Sequence, residues 1–214
     1  YHTLKKAAIA FLENGALVSA PAAITQLIRL QQQLCGHLVT DDGELKEVPS
    51  YRIDALMDCV EEMTGKIIIW SRFRYDIRKI EAALKKKYGP DSTVTYFGDT
   101  TSDQREEAKK RFQEGDVRFF VGNPQTAGMG LTLHAATNVI YYSNDFNLES
   151  RVQSEDRAHR IGQHHPVLYV DLMVPQTIDV HIVKVLQEKI KLSAAALGEE
   201  VRQWLELSPR ANEG

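Results

Sequence analysis

Lys66-Ile-Ile-Ile-Trp-Ser71 is a short apolar run that ends in the polar turn Ser71-Arg-Phe-Arg-Tyr-Asp76. A run this short, without alternation, reads as a strand buried on both faces. Behind it Ile77, Ile80 and Leu84 recur at helical spacing. The same unit then repeats. Further strands are predicted at Val94 to Phe97, Val117 to Val121, Asn138 to Tyr142 and Val167 to Val174, with helices from Ser102 to Gln113 and across the stretch that opens at Arg151. Upstream, Ser50 is placed to cap a helix whose apolar positions Ile53, Leu56, Met57, Val60 and Met63 run to a stop at Gly65. Alternating strands and helices with continuous apolar strands predict an α/β fold, a parallel sheet with helices on both faces.

The flanks read differently. Residues 1–50 form a helical segment with the stripe Leu27, Leu30 and Leu34, then an exposed polar connection over Thr40 to Pro49. Residues 51–176 carry the sheet, and 177–214 form a long helical tail. At 214 residues the chain suits one sizeable domain with appendages. Its formal net charge of −3 means that any nucleic acid must meet a local basic patch. Cys35 and Cys59 sit in apolar helical patterns and read as buried thiols in a reducing compartment. The apolar runs are too short for a membrane span, so no membrane partner is expected. Tyr1 opens the chain where a methionine would stand, which predicts a piece of a longer protein.

Chemistry concentrates in Arg151-Val-Gln-Ser-Glu-Asp-Arg-Ala-His-Arg-Ile-Gly-Gln163. On a helix Gln153, Asp156, Arg157 and Arg160 fall three and four apart and share one face. Arginine forks onto phosphate oxygens and keeps its charge, so this spacing predicts a phosphate-handling site. Three loops after predicted strands are also unusual: Ser71 to Asp76, Tyr96-Phe-Gly-Asp-Thr-Thr-Ser-Asp-Gln-Arg105, and Asn123-Pro-Gln-Thr-Ala-Gly-Met-Gly-Leu-Thr-Leu133. Each has a plain reading by itself: a capped helix with solvated arginines, capping by Thr100 to Ser102, and a Gly-x-Gly that is weak in isolation. On successive strand ends of one parallel sheet they would lie along one edge, facing whatever Arg157 and Arg160 face. Lys85-Lys-Lys87 reads as a solvated helix end. His164-His165 and the isolated His37, His134 and His181 lack ligands at metal spacing, so no metal is expected. There is no Gly-x-x-x-x-Gly-Lys-Ser/Thr loop and no Asp-Glu-x-His box. The arginines for a phosphate are present without a cradle for a nucleotide.

Together these residues resemble the C-terminal motor lobe of Swi/Snf-type ATPases, within helicase superfamily two. Asp156-Arg-Ala-His-Arg-Ile-Gly-Gln163 is similar to that family's last helicase motif nearly letter for letter. Ala127-Gly-Met-Gly-Leu-Thr-Leu133, Val139-Ile-Tyr-Tyr142 and Asp145-Phe-Asn147 resemble the motif before it. Gly98, Thr100, Arg105 and Phe112 fall at the spacing of an earlier nucleic-acid-contacting motif, and Trp70-Ser71 occupies the first motif of this lobe. The tail stretch Gln187-Glu-Lys-Ile-Lys191 resembles the annealing-helicase branch. Asn123-Pro124 stands where the family usually has Ser/Thr, Phe146 where it has tryptophan and Leu148 where it has proline. The large insertions of eukaryotic remodellers are missing, which fits a compact bacterial or phage enzyme.

The resemblance implies a RecA-like lobe of a two-lobed motor on double-stranded DNA, and the length and helical pattern of the tail from Thr177 suggest a brace for the missing lobe. ATP and Mg2+ are then held mainly by an N-terminal motor lobe of the same protein. Arg157 and Arg160 act as arginine fingers, oriented by Gln153 and Asp156, while Gly128 and Gly130 couple nucleotide to DNA. Ser71, Arg72, Gly98, Thr100 and Thr126 touch the DNA backbone. Such a protein is intracellular, cytoplasmic if bacterial or phage and nuclear if eukaryotic. Two other readings stay open: a lobe of a strand-separating DNA or RNA helicase, and a non-catalytic nucleic-acid-binding module of the same fold.

Overall fold

A computed structural model describes residues 1–3, 5–6, 20–40, 42–126, 131–158 and 166–207, with backbone alone for 20–23, 194 and 196–207. Helix α1 (Ala20–Cys35) leads into an antiparallel hairpin of β1 (His37–Val39) and β2 (Leu45–Glu47), then α2 (Arg52–Glu62). Strand β3 (Lys66–Trp70), α3 (Arg74–Tyr88), β4 (Thr93–Tyr96), α4 (Ser102–Glu114), β5 (Phe119–Gly122) and β6 (Ala136–Tyr141) follow. Helix α5 (Leu148–Ala158), strand β7 (Leu168–Asp171) and α6 (Ile178–Leu207) complete the order. The five strands β3 to β7 form one sheet in the order β4-β5-β3-β6-β7, and every pairing is parallel.

Strand β3 lies at the centre, with Ile67, Ile68, Ile69 and Trp70 all 0% exposed. Successive side chains of a strand point to opposite faces. Ile67 and Ile69 accordingly pack with Leu56 and Val60 of α2 and with Ile77, Ile80 and Leu84 of α3. Ile68 and Trp70 pack on the other face with Phe112 of α4 and Ala158 of α5. The expected parallel sheet with helices on both faces is what forms, framed by α1 and the long α6. The turn and second strand of the hairpin lie inside the stretch that reads as an exposed connection, and β1 comes just before it. The hairpin's strands are three residues each, and Leu45 to Glu47 are all exposed, so no apolar alternation announces them.

The helix ends are tied by specific groups. Thr101 and Gln104 form the reciprocal capping box that starts α4. Ser50 serves α2 from one residue further out than a usual cap, because Tyr51 holds the cap position. Its hydroxyl accepts from Arg52 N at 3.2 Å and donates to Leu34 O at 2.6 Å, joining the end of α1 to the start of α2. At the amino edge of the sheet, Arg118 donates to Met63 O (2.6 Å) and Val60 O (3.2 Å), while Lys66 donates to Gly115 O (2.6 Å) and to Phe112 O. Cations so placed satisfy the last carbonyls of α2 and α4 and oppose the helix dipole. Lys85, Lys86 and Lys87 occupy the last turn of α3, as their sequence suggests.

Arg52 joins four elements at once. It is buried at the start of α2, donates to Tyr142 O and Leu172 O beyond β6 and β7, pairs with Asp179 in the first turn of α6, and lies over the Tyr142 ring. Strand β7 is correspondingly shorter than the run up to Val174 suggests. Leu172 N still reaches Tyr141 O, but its own carbonyl turns to Arg52. Helix α6 docks on this same lobe: Ile178, Ile182 and Leu186 pack with Leu30 and Leu34 of α1, and Phe146 and Leu148 adjoin them. Cys35 is buried and Cys59 half-buried, both as free thiols. No described helix is long and apolar enough to cross a membrane.

Arg52→Ala leaves Asp179 buried without its partner and is expected to cost about 3–5 kcal/mol. Urea denaturation should show a clear fall in midpoint, with part of it recovered when Asp179→Ala is added. Gly65 has φ +79°, and a Cβ there would lie 2.6 Å from Thr137 Oγ1. Gly65→Ala is therefore expected to cost about 1–3 kcal/mol in the same measurement, and Thr137→Ala should relieve only the steric part.

Candidate functional site

Because all five strands run the same way, their carboxyl ends share one rim. The order β4-β5-β3-β6 sets the ends of these strands side by side on it, so the three loops singled out by sequence all leave the sheet along one edge. At its middle, the peptide of Arg72 is clamped from both sides. Its N–H donates to Ser143 Oγ at 2.9 Å and its carbonyl accepts from Asn123 Nδ2 at 2.8 Å. The guanidinium reaches Gln31 Oε1 on α1 at 3.0 Å and lies over the Phe73 ring. Burial lowers its pKa and the Asp145 carboxylate opposes that effect. An arginine stays charged at neutral pH in either case.

Ser71, read from sequence as a DNA contact, is placed in the interior. It is 0% exposed, and its hydroxyl lies 3.1 Å from Ser143 Oγ and 3.3 Å from Asp76 Oδ2. In this conformation it offers nothing to a ligand and supports the Arg72 turn from beneath. Thr100 is similarly occupied. Its hydroxyl donates to Phe97 O at 2.6 Å and accepts from Phe97 N and Arg105 Nε, so it shapes the loop after β4. Thr126 is half-buried in the loop after β5, where its N–H closes a turn on Asn123 O at 3.1 Å. Gly98 does permit a close approach, and the group that approaches is Arg74. A Cβ at position 98 would lie 2.8 Å from Arg74 Nη2.

Helix α5 starts beyond the rim and runs back along the sheet. Arg157 is six residues on from Arg151, roughly 9 Å along the helix axis. It stands beside the segment entering β6: Arg157 Nη1 donates to Leu131 O at 3.2 Å and Arg157 O accepts from Leu133 N at 2.8 Å. Of the three loops, Arg157 therefore meets the third, at its far end before β6, because an antiparallel helix carries its last turn toward the start of that strand. Among the described residues its guanidinium has that one hydrogen bond and no carboxylate partner, and its Nε is buried without one. Gln153 donates to Glu149 one turn back, and Asp156 is exposed. Neither meets Arg157 among the described contacts. Gly128, Gly130 and Arg160 lie outside the described residues, as does His164-His165.

Two features escape sequence reading. Arg151 is the arginine that α5 sets at the rim. It donates to Asp171 Oδ1 (2.5 Å), Asn144 Oδ1 (3.0 Å) and Glu155 Oε1 (2.6 Å), and lies 3.6 Å over the Tyr141 ring. Burial works against its charge; Asp171, Tyr141 and Glu155 outweigh that and hold its pKa above the usual arginine range. Only the i,i+4 spacing to Glu155 hinted at this, since Asp171 lies on a distant strand. His37, read as isolated, is buried with Nδ1 3.1 Å from Asp76 Oδ1, off the line of a hydrogen bond.

The chain matches the helicase conserved C-terminal domain family over residues 51–162. Among curated proteins it is 30% identical over 197 residues to Protein CHROMATIN REMODELING 4 of Arabidopsis thaliana, covering 85% of this chain and 9% of that protein. It is 31% identical over 172 residues to Helicase domino of Drosophila melanogaster, covering 79% and 5%. The chain thus spans less than a tenth of the length of these two relatives. Of solved structures, the C-terminal part of the Fun30 ATPase domain is 27% identical with a TM-score of 0.58, covering 63% of this chain and 44% of that one. The Sulfolobus solfataricus SWI2/SNF2 ATPase core in complex with dsDNA shares the fold at 23% identity and a TM-score of 0.69, covering 89% and 42%. With more than half of its length matched and the sheet in place, the chain belongs to the helicase conserved C-terminal domain family.

Proposed function

We propose that this chain is the second motor lobe of an ATP-dependent double-stranded DNA translocase. Arg157 carries the reading. It is a half-buried arginine whose guanidinium has no carboxylate partner among the described residues, on a helix where Arg151 has its charge matched. An arginine held without a counter-ion suits an anion that arrives from elsewhere. ATP with Mg2+, held mainly by an N-terminal lobe, supplies the phosphoryl group to be transferred. Arg157 and Arg160 stabilise charge on its oxygens as arginine fingers. Gln153 and Asp156 serve as polar neighbours on the same helix face, and the Gly128–Gly130 segment links the nucleotide side to the DNA side.

The rim contacts the DNA backbone through Arg72, Thr126 and the loop around Gly98, with Ser71 and Thr100 bracing those loops from within. Such contacts are independent of sequence and sensitive to salt. We place the chain with the annealing-helicase branch on the tail stretch 187–191, or with the bacterial or phage branch on the missing insertions, and its setting inside the cell, cytoplasmic or nuclear with its source.

In a polypeptide carrying both motor lobes, Arg157→Ala and Arg160→Ala are each expected to lower DNA-stimulated ATP hydrolysis by about 10³–10⁵-fold. DNA binding should stay within about twofold, since only the transition state loses a contact. Turnover at the wild-type rate in the Arg160 variant overturns the finger assignment. The chain by itself is expected to hydrolyse no ATP, and appreciable turnover by the purified chain would contradict a split site.

A further inference from the structure

The exposed arginine pair on α3 is the most exposed cationic feature of the rim that the proposed function leaves unassigned. Arg74 and Arg78 are one helical turn apart and share a face. Like charges so placed repel. Here one carboxylate takes both. Arg74 Nη1 lies 2.7 Å from Asp99 Oδ1, and Arg78 Nη2 lies 2.8 Å from Asp99 Oδ2. The arginine side chains are 65% exposed and the aspartate 39%, so the arrangement sits in water at the loop after β4. Gly98 clears the space that the Arg74 guanidinium fills, and Arg78 lies over the Phe97 ring at 5.8 Å. Arg105 adds a third cation against the same loop, donating to Phe97 O and lying over Tyr96 at 5.4 Å. Among the described contacts, the carboxylate that meets this group is Asp99.

A carboxylate that gives one oxygen to each of two guanidiniums has the form of a backbone phosphate giving its two free oxygens to the same pair. Exposed ion pairs of this kind are weak and exchange readily for a stronger anion. We infer that Asp99 is an internal stand-in for a DNA phosphate: in the free chain it holds Arg74 and Arg78 side by side, and a backbone phosphate displaces it on binding. This rests on the reading of the rim as a DNA-binding surface. Asp99 thereby keeps the pair from binding stray anions and lowers the affinity of the rim for DNA.

The test is fluorescence anisotropy of the chain with a short labelled DNA duplex over a salt series. Asp99→Asn is expected to tighten binding about threefold to tenfold near 0.1 M salt. The same change made with Arg74→Ala and Arg78→Ala already present is expected to do nothing, because the phosphate then has no pair to reach. The two arginine changes alone should weaken binding and lower the slope of log K against log salt by about one to two. Asp91→Asn, which frees Arg111 at the opposite edge of the sheet, serves as the general charge control and should leave binding unchanged. Unchanged or weaker binding by Asp99→Asn overturns the inference, and so does equal tightening with the arginines gone. Both results leave the rim as a DNA surface. No binding by the wild-type chain would overturn the proposed function itself, and this inference with it.

Discussion

Burial of β3 on both faces is the constraint on which the rest depends. Four side chains with no access to water need helices above and below the sheet. Parallel neighbours cannot be joined by hairpins, so each strand is reached by a crossover that supplies those helices. The same arrangement turns every strand end to one rim. A rim of loops, each leaving a different strand, can be set against a long ligand without disturbing the core. Arg52 finishes the construction by pinning the ends of β6 and β7 to α2 and α6, which keeps the tail helix on its own lobe.

One residue type has separate fates on this frame, and the difference is electrostatic. Arg151 is surrounded by Asp171, Glu155 and Asn144 and stacked on Tyr141, so its charge is spent inside the protein. Arg72 is half-buried, with its peptide clamped and its head turned to Gln31. Arg74 and Arg78 share one exposed carboxylate. Arg157 meets only a carbonyl among the described residues. Counting arginines along the chain would treat these as equivalent. What separates them is the number of anionic groups brought to each by segments far away in sequence.

Beneath the rim, Ser71, Ser143 and Asp76 link β3, α3 and the loop after β6 in one buried polar chain, with His37 of β1 beside Asp76. Buried polar groups of this kind specify a unique arrangement when they are matched. Their effect at the surface is indirect: Ser143, held by Ser71, takes the N–H of Arg72 and sets where that turn stands. A serine at a strand end looks from sequence like a ligand contact, and this one supports another residue instead.

Much of the fold was legible in the sequence because its signals are local. The run Ile67 to Trp70, the helical spacing of Ile77, Ile80 and Leu84, and the cap at Thr101 each depend on neighbours a few residues apart. The hairpin before α2 was not legible, since strands of three residues, one of them fully exposed, carry no periodic pattern. The candidate site was legible as a set of loops and one arginine-bearing helix, and less so in the duty of each side chain. By itself the sequence determined a parallel sheet, the loops along its rim and the helix that carries Arg157. Only the tertiary structure decided that Ser71 faces inward, that Gly98 makes room for Arg74, and that Arg151 is neutralised while Arg157 meets no carboxylate among the described residues. Those outcomes turn on burial and on charges from distant strands, such as Asp171, which no local spacing encodes.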